Sequence, residues 1–320
     1  MKPSLLIARH LPPAAMILAE QRFDLVPSGG RDLDTATTLG LLRASTAQAL
    51  LLSANVVLDA GAMAQLPESV RIIATASVGF DHVDVEAARN RGIVVTNTPG
   101  VLDECTADYA FMLMLMAARR AGAHMALVAN GWSHGLGMVE LAGTRVWGKT
   151  LGIVGMGRIG KAVARRALGF GMTIHYHDRM ALPSDIAGDA VYHDTLPDLL
   201  AASDIVSLHC PAMPGNRPLL SAAEFARMKP GAILVNAARG SLVDESALLD
   251  ALDKGIVAAA GLDVFAREPH PDSVLVRHPS VVATPHMASA TMETRNDMAL
   301  LALDNLSAFF SGARPPNALN

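Results

Sequence analysis

The stretch that most constrains the fold is Leu151-Gly152-Ile153-Val154-Gly155-Met156-Gly157-Arg158-Ile159-Gly160. An aliphatic run meets three glycines spaced Gly-x-Gly-x-x-Gly, and a helical pattern follows over residues 161–170. A buried strand turned directly into a helix is the first half of a βαβ unit, which commits the chain to a parallel sheet. In this spacing Gly155 allows the tight turn, Gly157 lets backbone approach a pyrophosphate, and Gly160 lets helix and strand pack closely. The helix start, with Arg158 and Ile159, offers unbonded N–H groups and a positive dipole end to phosphates. The next strand candidate, residues 173–177, ends at Asp178. An acidic residue roughly 20 positions beyond the glycines is the expected partner of the ribose hydroxyls. Asp178 favours NAD, because it accepts from those hydroxyls and repels a 2′-phosphate. Arg179 beside it can pair with that phosphate, so NADP stays open.

The remainder alternates short β-type runs with Ala- and Leu-rich helical stretches, which reads as α/β. Candidate strands include residues 4–7, 70–76, 92–96, 150–154, 173–177, 205–208, 232–236, 259–263 and 281–284. A long helix is expected over residues 101–130 and a last one over 291–310. The length of 320 residues accommodates two domains, and the glycine segment lies far enough along that another unit must precede it. A hydrophobic share of 51 % with only 4 % aromatics suits helices packed on a buried sheet. The net charge of −4 counts against a nucleic-acid partner. The two cysteines, Cys105 and Cys210, form no paired motif, so neither a disulfide framework nor a metal site is expected, and a reducing cytoplasm is the natural setting. The start of the chain does not read as a signal peptide. The longest apolar run, residues 109–118, is about half of the roughly 20 residues a bilayer span needs, so no membrane partner is expected.

Three strings in the last third carry the chemistry: Val235-Asn236-Ala237-Ala238-Arg239-Gly240, Asp263-Val264-Phe265-Ala266-Arg267-Glu268-Pro269 and Thr284-Pro285-His286-Met287-Ala288-Ser289. Each follows a strand candidate, at the carboxyl end where open α/β sheets bind ligands. The planar Arg239 fork suits a carboxylate and its adjacent carbonyl oxygen. His286 can give or take a proton, and Glu268 can fix its tautomer and favour its charged form. Taken singly, Arg239 could be a surface cation paired with Asp244 or Glu245, Glu268 a solvated loop carboxylate, and His286 a packing residue. Together with the dinucleotide loop they are a kit for moving a hydride and a proton.

These strings, with Ser77-Val78-Gly79-Phe80-Asp81-His82-Val83-Asp84, Asn97-Thr98-Pro99-Gly100, Thr106-Ala107-Asp108 and His209-Cys210-Pro211, resemble the D-isomer-specific 2-hydroxyacid dehydrogenase family over most of the chain. Within it, Tyr176-His177-Asp178-Arg179 and Thr294-Arg295-Asn296-Asp297-Met298 are similar to the glyoxylate/hydroxypyruvate reductase and 2-ketogluconate reductase branch, many of whose members prefer NADPH. The resemblance implies two Rossmann-like domains: a discontinuous flavodoxin-like substrate domain, residues 1–98 plus 288–320, and a central dinucleotide-binding domain, residues 99–287. It implies a homodimer held by the nucleotide domains. It puts catalysis on Arg239, Glu268 and His286, and substrate binding on the backbone of Val78 and Gly79 with Arg239, His286 and Arg295. Cys210 and Ala237 are placed along the cofactor cleft and Asp263 at the nicotinamide carboxamide. Gly215-Asn216-Arg217 and Trp147 depart from the family's usual residues. The expected reaction is the NAD- or NADP-dependent reduction of a small 2-keto acid to its D-2-hydroxy acid. Two other readings stand beside it. One is a nucleotide-sensing interaction protein on the same fold, which the lack of long disordered tails disfavours. The other is a dehydrogenase of a different acid, such as 2-ketogluconate.

Overall fold

The computed structural model describes residues 2–320 apart from 214 and 216, so Asn216 lies outside the described residues. The chain divides into two compact units. The first runs through Leu102 and resumes over Ser289–Asn320; the second is Asp103–Ala288.

The first unit is built on β1 (Ser4–Ile7), β2 (Asp24–Leu25), β3 (Ala49–Leu52), β4 (Ile72–Thr75) and β5 (Val94–Thr96), in the order β2-β1-β3-β4-β5. Every pairing is parallel, and the order reverses at β1, the flavodoxin-like arrangement. Side chains alternate between two cores, as a pleat of period two requires. Leu5, Ile7, Ala49, Leu51, Ile72 and Ala74 pack on one face with Ala299, Ala302, Leu303 and Leu306 of the last helix, Met292–Phe310. Leu6, Leu50, Leu52, Ile73 and Val95 fill the other face. Thr291 caps the last helix by accepting from the Thr294 amide. The final residues then run along the β5 edge: Leu319 donates its N–H to the Val95 carbonyl, and the Asn320 side chain bonds the backbone of Val95 and Ile93. That tail covers an edge otherwise open to foreign strands.

The second unit holds a seven-stranded parallel sheet of β6 (Thr150–Val154), β7 (Thr173–His177), β8 (Val191–Tyr192), β9 (Ile205–Leu208), β10 (Ala232–Asn236), β11 (Val257–Leu262) and β12 (Val281–Ala283). Its order is β12-β11-β10-β9-β6-β7-β8. Strand order reverses at β6, so the glycine turn that follows it opens beside β9, at the switch point where such sheets bind ligands. The helix Asp103–Ala118 covers one face through Ala107, Ala110, Phe111, Leu113, Met114 and Ala117.

Two expectations need correction. The long helix over 101–130 is broken: Asp103–Ala118 and Ala121–Ala129 meet at a 68° bend, with Arg120 left-handed at φ 51°. A non-glycine residue in that region cannot continue a right-handed helix. The second concerns β3, at the centre of the first sheet, which is not among the candidate strands, as the two-residue β2 and β8 are not. Its Ala-Leu-Leu-Leu sequence has no β-branched residue and sits in an Ala- and Leu-rich stretch, so periodicity could not separate it from helix. Among the described residues, no single helix is long and apolar enough to cross a membrane; the bent pair passes by length and composition only when its two parts are taken together.

Gly261 in β11 lets Asp103–Ala118 lie directly on the sheet. A Cβ there would stand 2.9 Å from the Leu113 carbonyl oxygen and 3.0 Å from its Cβ. Since backbone cannot yield as a flexible side chain does, Gly261→Ala is expected to lower stability by about 1–3 kcal/mol. Urea denaturation checks this, and an unchanged midpoint would contradict the packing argument.

Candidate active site

The glycine turn is shaped by close approaches. Gly155 sits at φ +93°, where L side chains are strained, and a Cβ on it would lie 2.8 Å from the backbone of His209. A Cβ on Gly160 would come within 2.2 Å of the Gly155 carbonyl oxygen, so only glycine allows the helix Arg158–Leu168 to start so near the strand. Gly157 differs: a Cβ there meets nothing within 4 Å. It is the residue before the helix, with open space in front of it, and this opening suits a pyrophosphate facing the first N–H groups. Arg158 is exposed and Ile159 half-buried.

Asp178 directly follows β7 and is fixed in place. Its Oδ2 accepts from the Met156 amide at 2.8 Å and its Oδ1 from the Arg179 amide at 2.7 Å. One carboxylate therefore shapes the glycine turn and stands where a ribose would be met, with Arg179 exposed beside it. Cys210 and His209 follow β9 and back onto the turn. Burial pushes the Cys210 thiol up to about 11, so it is no thiolate at neutral pH. These residues fit a nicotinamide dinucleotide.

The three other strings leave adjacent strands, β10, β11 and β12, and are interlocked. At the end of β10, the buried Asn236 accepts from the Ala238 amide through Oδ1 and donates through Nδ2 to the Arg239 carbonyl at 2.9 Å. Arg239 lies extended there, half-buried, and one guanidinium nitrogen donates to the Ala238 carbonyl. Ala237 is half-buried just before it. A Cβ on Gly240 would be 1.9 Å from the Phe265 carbonyl carbon, so the Arg239 loop and the Glu268 loop touch backbone to backbone.

After β11, Asp263 is fully buried. Its Oδ1 accepts from the Thr284 hydroxyl at 2.6 Å and the Met287 amide, and its Oδ2 from the Ala288 amide. Its own carbonyl takes the His286 amide. Burial raises its pKa, against the pull of these donors. Held this way, His286 is left-handed at φ 56°, and its Nδ1 lies 2.6 Å from Glu268 Oε2. Glu268 Oε1 accepts from the Phe265 amide. Burial pushes the Glu268 carboxyl up, but His286, the Phe265 amide and Arg239 outweigh it, and its pKa falls below the ordinary value. The carboxylate is therefore ionised at neutral pH, and His286 Nδ1 faces it while Nε2 points away.

Val78, Gly79 and Arg295 belong to the first unit. Val78 and Gly79 are half-buried in the loop after β4, and Arg295 is half-buried one turn into the last helix. Sequence reasoning missed four residues that shape the second unit's site. Asn236 and Thr284 sit within the quoted strings and hold their loops. Gly240 was quoted but given no task. Glu245, weighed only as a partner for Arg239, accepts from the Ala266 amide through Oε1 and tethers the Glu268 loop. For Asn236 and Thr284 the available signal was a polar residue at the end of a buried strand; Gly240 and Glu245 carried none.

His209 makes the site's pH dependence testable. Its Nε2 bonds Ser207 Oγ at 2.8 Å, and burial lowers its pKa to about 4. An unfolded histidine titrates near 6.5. Between those values the native state holds fewer protons, so the contribution of neutral His209 is complete above about pH 6.5 and lost as pH falls towards 4. His175 is shifted the same way by burial, His193 and Lys229, so the comparison is between proteins. Urea unfolding at pH 7 and pH 5 should show a smaller drop for His209→Gln than for the parent. Equal drops would assign the pH dependence elsewhere.

The model of the D-isomer specific 2-hydroxyacid dehydrogenase NAD binding domain matches residues 111–288, more than half of the chain. The chain is 42 % identical to a glyoxylate reductase of Korarchaeum cryptofilum, across 100 % of this chain and 96 % of that protein. It is 40 % identical to glyoxylate/hydroxypyruvate reductase B of Pectobacterium atrosepticum, across 100 % and 98 %. The crystal structure of an NADPH-dependent glyoxylate/hydroxypyruvate reductase from Sinorhizobium meliloti, in complex with NADP and malonate, superposes with a TM-score of 0.87 at 34 % identity, covering 100 % of this chain and 97 % of that one. On this evidence the chain belongs to the D-isomer specific 2-hydroxyacid dehydrogenase family and is an NAD(P)-dependent oxidoreductase.

Proposed function

We propose that the protein reduces a small 2-keto acid of the glyoxylate or hydroxypyruvate type to the D-2-hydroxy acid. The observation that carries this reading is the 2.6 Å bond between His286 Nδ1 and Glu268 Oε2, which leaves Nε2 as a proton donor, with the Glu268 loop standing between the loops of His286 and Arg239. When bound, the nicotinamide cofactor supplies the hydride that reaches C2. Arg239 holds the substrate carboxylate and polarises the keto oxygen. His286 in its protonated form gives the Nε2 proton to that oxygen, and ionised Glu268 stabilises the imidazolium beforehand. Val78 and Gly79 supply backbone N–H groups to the carboxylate, and Arg295 adds a cation for the substrate's far end. Asp178 favours NAD and Arg179 serves NADP. Names of relatives support the substrate class: besides the two reductases, a glycerate dehydrogenase of Hyphomicrobium methylovorum is 38 % identical over 320 residues.

The protein is further proposed to act as a homodimer. The helix Ala121–Ala129 has no buried residue, yet Met125 and Val128 are exposed, as are Trp132, Met138, Val139 and Trp147 farther along. So much exposed apolar surface in one segment marks an interface, and a second copy of this chain is its occupant.

Initial rates with NADH and NADPH against glyoxylate, hydroxypyruvate, pyruvate and 2-ketogluconate test the reaction. Turnover should be clear with the small acids. Tight nucleotide binding without turnover of any acid would overturn the reading in favour of a nucleotide sensor. His286→Ala should lose about 10²–10⁴-fold in turnover while keeping NAD(P)H affinity, and near-normal rates would remove His286 as the acid. Met125→Glu with Val128→Glu should yield monomers in sedimentation velocity. A parent protein that is already monomeric at micromolar concentration would refute the dimer.

A further inference from the structure

We infer that Ser77 and Asn97 are positioning residues that turn three successive backbone N–H groups, those of Val78, Gly79 and Phe80, into one carboxylate-binding surface. The inference rests on the reading that this loop takes the substrate carboxylate, and it adds both the Phe80 amide and the side chains that orient all three.

Three consecutive carbonyls in the loop after β4 are tied down. The Ser77 carbonyl accepts from the Thr98 amide at 3.0 Å. The Val78 carbonyl accepts from Asn97 Nδ2 at 2.9 Å. The Gly79 carbonyl accepts from Ser77 Oγ at 2.6 Å. None of these peptide bonds is cis. In a trans peptide the N–H points opposite the C=O of the same unit. Anchoring those three carbonyls therefore aims the N–H groups of Val78, Gly79 and Phe80 away from the residues that anchor them. No described hydrogen bond gives any of the three an acceptor. Val78 and Gly79 are half-buried, and successive N–H groups of that kind form a concave donor set matched to an anion.

The anchors are themselves held. Asn97 is buried, its amide donates to the Asn317 carbonyl, and its carbonyl accepts from Nδ2 of the fully buried Asn305. Ser77 Oγ also contacts Thr75 Oγ1, which in turn bonds His82 Nε2 at 2.8 Å. The C-terminal tail and the last helix thus reach the loop through Asn97, while β4 reaches it through Thr75. A carboxylate gains charge-assisted hydrogen bonds from this surface that a neutral group does not.

The test compares a 2-keto acid with the corresponding 2-keto amide, which lacks the negative charge. In Ser77→Ala and in Asn97→Ala, kcat/KM for the acid should fall about tenfold, chiefly through KM, with the value for the amide and the Kd of NAD(P)H unchanged. Ser77→Thr, which keeps the hydroxyl, should restore the acid. Equal losses on acid and amide would overturn the inference by showing a general packing role, and so would an unaffected acid. Ser77→Ala is the milder change and decides the matter if Asn97→Ala does not fold. A parent enzyme that shows no preference for acid over amide would instead strike the carboxylate reading of the loop, and this inference with it.

Discussion

Much of the second unit's chemistry depends on one buried carboxylate. Asp263 has no solvent exposure, and it gathers the Thr284 hydroxyl and the Met287 and Ala288 amides onto its two oxygens. A buried charge is tolerated only with such a set of donors, and here the donors are the loop that carries His286. The same residue takes the His286 amide on its carbonyl and gives its own amide to the Asn236 carbonyl. It therefore joins the ends of β10, β11 and β12. The left-handed backbone of His286 is a consequence. A non-glycine residue resists that conformation by roughly 1–2 kcal/mol, and it persists because surrounding bonds over-determine it.

Steric contact completes what the carboxylate begins. At Gly240 the chain comes so near Phe265 that no side chain fits, which brings the Arg239 loop against the loop bearing Glu268. Glu268 then lies among three groups that favour its ionised form: His286, the Phe265 amide and Arg239. The imidazole is oriented by a carboxylate that is ionised near neutrality, so Nδ1 is committed and Nε2 is the ring nitrogen turned away from it. None of this requires the side chains to be deeply buried. The His286 side chain is 48 % exposed and that of Glu268 34 %.

The sequence made the site more legible than the fold. Gly155, Gly157, Gly160 and Asp178 were readable because a dinucleotide turn needs particular residues at particular spacings. Arg239, Glu268 and His286 were readable because each follows an aliphatic run and sits inside a distinctive string. By contrast, β3 was hidden by an Ala- and Leu-rich context in which helix and strand share one pattern. The break at Arg120 was hidden because its cause is a left-handed backbone, which no residue type there announced. Glu245 and Gly240 were silent for a different reason. A carboxylate that bonds a distant amide, or a glycine that admits a neighbouring loop, has meaning only once the two segments are brought together.

Both units make their candidate sites by the same device. A polar side chain at or just past the end of a buried strand bonds the loop that follows or the loop next to it: Asp178 with the Met156 amide, Asn236 with the Arg239 loop, Asp263 with the His286 loop, and Asn97 and Ser77 with the loop of Val78. In a parallel sheet these strand ends all lie on one edge, where the ladder stops and backbone groups need new partners. In the loop of Val78 side chains take the carbonyls and the N–H groups are left to face away from them; in the loop of His286 a carboxylate takes the Met287 and Ala288 N–H groups instead. The first arrangement suits an anion, and the second holds a titratable side chain out on its loop. On the proposed reading, the loop whose carbonyls are taken is the one that binds a carboxylate, and the loop whose N–H groups are taken is the one that carries the proton donor.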